Sequence, residues 1–121
     1  MSVHDRAYQL QIMLAKNKRI EALEEFYHEN VTVIEMPTGE TRIGKQAQRE
    51  AVLYWMGAVA KVHKRGLYSL CVDDERNITS AETWIDVTYR DGERVKIEEV
   101  AIQHWQEGQI IEEKFYYHLP E

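Results

Sequence analysis

The chain is poor in cysteine: Cys71 stands alone among 121 residues, so no internal disulfide can form, and a reducing, cytoplasmic setting fits. Its neighbours Leu70 and Val72 suggest a thiol packed in the core. Proline (two) and glycine (six) are scarce and never gather into a linker. With no repeat or low-complexity tract either, one domain over residues 1–121 is expected. Long apolar runs are missing too. None nears the ~18 residues of a membrane span, and the opening MSVHDRAYQ lacks the basic-then-apolar layout of a signal peptide. Positive charge is in deficit, 15 Lys and Arg against 21 Asp and Glu, which argues against nucleic acid or an anionic membrane as partner. The histidines, His4, His28, His63, His104 and His118, show no metal-ligand spacing, so neither a metal nor a cofactor is expected.

What is present is a change of period. Val3, Ala7, Leu10 and Leu14 recur at helical spacing over about 3–15, and Ile20, Leu23, Phe26 and Tyr27 mark a short second helix. A strand follows at 31–36, with Val31, Val33 and Glu35 on one face and Thr32, Ile34 and Met36 on the other. The turn Pro37-Thr38-Gly39-Glu40 leads into a short partner strand, 41–43. Gly44 then opens a long helix over about 45–64, whose wide apolar face suits a sheet. KVHKRG (61–66) would be its cationic end, complementing the helix dipole. After Gly66 strands are expected at about 67–73, 79–90, 94–106 and 109–118.

Matching side chains across the hairpins sets their registers. A three-residue loop Arg90-Asp91-Gly92 pairs Ile85 with Ile97, Val87 with Val95 and Asp86 with Lys96, whereas a two-residue loop opposes Ile85 to Glu98. The same loop at Gln106-Glu107-Gly108 pairs Gln103 with Ile111, Ala101 with Glu113 and Glu99 with Phe115. One face then gathers Ile85, Val87, Val95, Ile97, Ala101, Trp105, Ile111, Phe115 and Tyr117 around three polar residues, Glu99, Gln103 and Glu113. Polar groups on an inward face need partners, water or a ligand cavity. The opposite face carries Trp84, Val100, Ile102, His104, Ile110 and Tyr116, too apolar for solvent, and reads as a homodimer interface.

Helix, helix, strand, long helix and then a curved antiparallel sheet is the order of the nuclear transport factor 2-like cone. IEALEEFYHENVTVIEMPTGETRIGKQAQREAV (20–52) and VAIQHWQEGQIIEEKFYY (100–117) resemble that superfamily, above all its SnoaL-like and ketosteroid-isomerase-like members. The first stretch is similar to the family's short helix, aromatic, acidic loop, strand and Arg-x-Gly before the long helix. The second is similar to its paired terminal strands around a Gly turn. The resemblance implies an α+β fold, a curved antiparallel sheet wrapped around three N-terminal helices, an apolar small-molecule ligand and a homodimer. It also puts Glu35 at the place of the isomerase's general base and Gln103 at that of its protonated oxyanion-hole aspartate. The place of the first-helix tyrosine falls to Gln11, with Tyr8 one turn away.

Glu35 is thus a candidate base in an apolar cavity, or else a carboxylate satisfied by the amides of Thr38 or Gly39, or by Arg42. Glu99 and Glu113 together would push one pKa upward and share a proton, unless one of them pairs with a helix residue such as Arg49. Gln103 or a neutral Glu113 would stabilise an enolate. Tyr8, Gln11, Trp55, Glu99, Trp105 and Tyr117 would contact the ligand, although such aromatics serve a core just as well. Two functions follow. One is a cofactor-independent isomerase or cyclase that moves a proton next to a carbonyl, and the other is a non-catalytic ligand-binding or dimeric assembly module. A hydrolase ranks third, because the paired acids flanking an arginine that epoxide opening uses are not found.

Overall fold

The computed structural model describes residues 2–119. Ser2 caps the first helix, α1 (Val3–Ala15): its Oγ accepts the Asp5 amide at 3.1 Å, and Asp5 sits in the first turn, where a carboxylate suits the dipole. Next come α2 (Arg19–Phe26), β1 (Tyr27–Glu35), β2 (Glu40–Ile43) and α3 (Lys45–Ala58). β3 (Val59–Asp73), β4 (Ile78–Tyr89), β5 (Arg94–Gln106) and β6 (Gln109–Tyr117) complete one sheet in the order β2-β1-β6-β5-β4-β3. Only β1 and β6 run parallel, so the sheet is mixed rather than wholly antiparallel. Three register shifts along β3 add twist and bend to that edge. Ala7 and Leu10 of α1 and Ala22, Leu23 and Phe26 of α2 pack onto Val31, Val33, Trp105 and Ile110 of the sheet. The α+β cone with three helices is therefore as the sequence implies.

Three expectations change. The third helix stops at Ala58, not near residue 64, and KVHKRG lies in β3. The cause is β4: its backbone is paired with β3 from Val59–Tyr89 to Asp73–Ile78, and a longer helix would strip those groups of partners. Cys71 is exposed rather than core, because Leu70 takes the inward position beside Ala81 and its neighbour must point out. The β4–β5 register is as expected, Ile85–Ile97 and Val87–Val95, but the β5–β6 register is not. Glu107 and Gly108, at φ 51° and 78°, form a two-residue turn that pairs Trp105 with Ile110. Ile111 is then an extra residue, after which Gln103 meets Glu113, Ala101 meets Phe115 and Glu99 meets Tyr117. That bulge turns Ile110 inward, where it is 0% exposed. Ile110 belongs to the core and not to the outer face.

Candidate functional site

The polar side chains of the interior come from several elements. Arg19 opens α2, Tyr27 opens β1, Arg65 sits on β3, Glu99 and Gln103 alternate inward on β5, and Glu113 faces in from β6. They line a hollow in two parts, an inner chamber of about 130 Å³ and a wider outer hollow of about 510 Å³. Arg19, Gln48, Val52, Glu99 and Phe115 line both, so the two parts adjoin. Leu10, Leu14 and Leu23 add apolar wall to the chamber, while Trp55, Glu35 and Arg42 edge the outer part.

Below the chamber runs a hydrogen-bond chain whose direction is fixed by its first donor. The Trp105 indole Nε1 can only donate, and it gives its hydrogen to Thr79 Oγ1 at 2.8 Å. Thr79 therefore donates onward to Gln103 Oε1 at 2.8 Å, which leaves the Gln103 amide nitrogen to donate to Glu113 Oε2, also at 2.8 Å. The Tyr27 hydroxyl meets the other oxygen of Glu113 in a short hydrogen bond. Glu113 is 1% exposed. Burial pushes its carboxyl up to about 7, against the pull of the Tyr27 and Gln103 hydrogen bonds, and the charges of Glu99 and Glu35 add to the rise. Burial, followed by the charge and hydrogen bond of Glu113, lifts the Tyr27 phenol well above its ordinary range. At neutral pH Tyr27 is a hydrogen-bond donor and not a base.

Glu99 differs from its neighbours. Among the described residues no side chain hydrogen-bonds to it, and burial raises its pKa, opposed by the charges of Arg19 and Arg65. The Arg19 guanidinium lies over the Trp55 ring at 4.5 Å and has no ion-pair partner within reach among the described residues. Burial lowers its pKa, with Glu99 the chief opposing charge. Arg65 donates to Asn17 at 2.9 Å; burial, and then the charge of Arg19, bring it down to about 10.

A SnoaL-like domain model matches residues 1–117. This chain belongs to the SnoaL-like family. Among curated proteins nothing matches it. A candidate SnoaL-like polyketide cyclase from Mesorhizobium loti is similar in structure, with TM-score 0.84, 26% identity, and 97% of this chain and 100% of that one covered. A candidate isomerase from Bacillus subtilis superposes with TM-score 0.82 at 12% identity, covering 98% and 90%. A Catenulispora acidiphila protein with a ketosteroid-isomerase-like fold, solved in complex with trimethylamine, gives TM-score 0.69 at 13% identity over 81% and 74%. At such low identity the last two show the shared fold alone.

Within this SnoaL-like cone the expected residues divide. Gln11, Glu99, Gln103 and Glu113 line the inner chamber, and Glu35 and Trp55 the outer hollow. Glu35 is ion-paired to Arg42 at 2.7 Å, as one of the two sequence readings allowed, and Arg42 in turn donates to Gln48 at 2.7 Å. Burial, followed by the neighbouring Glu35 carboxylate, pushes the Tyr117 phenol up to about 12. Tyr8 is 52% exposed and stacks on His4, away from both parts of the hollow. Trp105 is core, set edge-on against Phe26, and reaches the site only through Thr79. Arg49 is taken by Glu24 rather than by Glu99 or Glu113. Of the supposed outer face, Val100, Ile102 and His104 are half-buried and Tyr116 is exposed, while the Trp84 ring is drawn over Gly66. Sequence reasoning missed Tyr27, Arg19 and Arg65; only the aromatic preceding HEN carried any signal. Among the described residues no group of His, Cys, Asp and Glu is placed to hold a metal, and no helix is long and apolar enough to cross a membrane.

Proposed function

We propose that this SnoaL-like protein moves a proton next to a carbonyl in a small molecule held in the hollow, as an isomerase or cyclase without a cofactor. The observation that carries this reading is a fully buried carboxyl poised near neutrality, Glu113, hydrogen-bonded to Tyr27 and lining the same chamber as Glu99, a carboxyl with no hydrogen bond among the described residues. Glu99 removes the proton, since a base must have a free lone pair and a pKa raised toward working pH. When Glu113 is protonated it donates to the Tyr27 oxygen, which frees the phenolic hydrogen to stabilise the developing enolate. Gln103 acts as a positioning residue, its amide held in orientation by Thr79 and Trp105. Glu35, tied to Arg42, is the competing base at the rim. The ligand binds as a monoanion or neutral molecule in a homodimeric protein of the cytoplasm.

Deuterium uptake at the carbons beside the carbonyl of 2-tetralone, followed by NMR in D2O, tests the assignment. Exchange above the buffer rate should fall by about 10²-fold in Glu99→Gln and in Tyr27→Phe, and by less than about 5-fold in Glu35→Gln. A large loss in Glu35→Gln with Glu99→Gln intact transfers the base role to Glu35. Full exchange in all three variants leaves the non-catalytic binding module as the better reading, which the Glu35–Arg42 pair already favours by occupying one carboxylate.

A further inference from the structure

Two arginines of the hollow have no carboxylate hydrogen-bonded to them among the described residues. Arg19 lines both parts and Arg65 lines the inner one, close enough that the charge of Arg19 depresses the Arg65 pKa. Facing them, Glu113 is hydrogen-bonded to Tyr27 and Gln103 and Glu35 to Arg42, which leaves Glu99 as the carboxyl of the inner chamber without a hydrogen bond among the described residues. Even Glu99 makes no hydrogen bond to Arg19. The Arg19 guanidinium instead lies over the Trp55 ring, its carbon 4.5 Å from the centroid, and among the described residues its N–H groups have no hydrogen-bond acceptor, which leaves them for a guest. Two partly desolvated guanidinium groups with no carboxylate hydrogen-bonded to either are costly to keep from water, and an anion seated on their N–H groups lowers that cost.

We propose that the hollow selects an anionic ligand, an apolar body bearing a carboxylate or an equally acidic enol, whose charged end is gripped by the N–H edge of Arg19 with Arg65 behind it. This rests on the hollow being the ligand site, as in the reading above, but not on any proton being moved there. The apolar body lies along Val52, Trp55 and Phe115, in the outer part, which alone has volume for a ring system. The planar fork of arginine matches a carboxylate by two parallel hydrogen bonds, a geometry that a neutral ketone cannot use. Glu99 competes with the ligand for the same cations, so its removal strengthens binding.

A matched pair of probes isolates the charge: 2-naphthoate and its neutral isostere 2-naphthamide, measured by calorimetry on the intact protein at pH 7.5. Naphthoate should bind at least 10-fold more tightly than the amide. Arg19→Gln should erase that preference, Arg19→Lys should keep part of it, and Arg65→Gln should weaken it by several-fold. Glu99→Gln should tighten naphthoate and leave naphthamide unchanged. An unaltered near-ultraviolet dichroism spectrum shows that each variant has kept its packing. Equal affinity for the two probes, tighter binding of the amide, or no binding of either overturns the inference. Deuterium exchange into neutral 2-tetralone by a protein indifferent to naphthoate would reject this inference alone and leave proton transfer standing. Charge-selective binding with no exchange would do the reverse.

Discussion

Glu113 titrates near 7 in the folded chain, while unfolding returns it to an ordinary value of 4.5. Between those values the folded form holds a proton that the unfolded form has lost. Its contribution to stability is therefore complete below about 4.5 and gone once pH passes about 7. That interval is worth on the order of 3 kcal/mol, and Glu99, raised by burial as well, acts in the same direction. Urea denaturation should find the protein less stable at pH 8 than at pH 5. Glu113→Gln, which still offers an amide hydrogen to Tyr27 and an oxygen to Gln103, should lose most of that difference; equal slopes with pH in both proteins would show that the carboxyl is not sealed. The inward placing of Glu99, Gln103 and Glu113 was legible in the sequence because strand alternation assigns each residue a face. Arg19 and Arg65 were not legible. Nothing in KNKR marks Arg19, KVHKRG reads as the cationic end of a helix, and only the docking of α2 and the early start of β3 bring those side chains to the hollow.

At the scale of the element, the two hairpins show where local pattern suffices. The β4–β5 pairing follows from matching like with like, and its loop glycine Gly92 takes the expected positive φ of 94°. The β5–β6 pairing does not follow, because its shorter loop and its bulge each shift the register by one residue in the same sense: beyond the bulge partners are displaced by two, which restores the expected faces, while before it Ile110 takes the inward place expected of Ile111. The end of α3 was misread for a related reason, since Val59 and Val62 fit a helix stripe as well as a strand and only pairing with β4 decides. In the same strand Gly66 lies opposite Trp84, and an added Cβ would sit 2.5 Å from the indole nitrogen. Gly66→Ala should therefore cost about 1–3 kcal/mol through displacement of a rigid ring. The loss should appear in thermal denaturation together with a shifted tryptophan emission. Unchanged stability would mean that the ring swings aside freely.

For the whole molecule, the hollow and the back of the sheet make opposite demands on the same strands. β5 and β6 send Glu99, Gln103 and Glu113 inward, and the alternate positions send Val100, Ile102, His104 and Tyr116 out. Val100 stands between Glu82 and Tyr116, and Ile102 between Ser80 and Lys114, so Val100, Ile102 and Tyr116 adjoin on the outer surface and polar side chains flank them. A core-like patch with a polar surround is what a subunit interface needs, since the apolar centre excludes water and the rim keeps the free chain soluble. Loss of Ile110 to the interior trims that patch without removing its centre. Light scattering at micromolar concentration should therefore give twice the chain's 14.3 kDa. The double variant Ile102→Glu, Tyr116→Glu should return it to one chain, because two carboxylates from each subunit would meet across the two-fold axis. Both side chains point away from the hollow, so that variant should keep the naphthoate preference even as its mass halves. A wild-type mass of one chain rejects the dimer, and a variant that loses mass and ligand together would mean that the two faces of the sheet are energetically coupled.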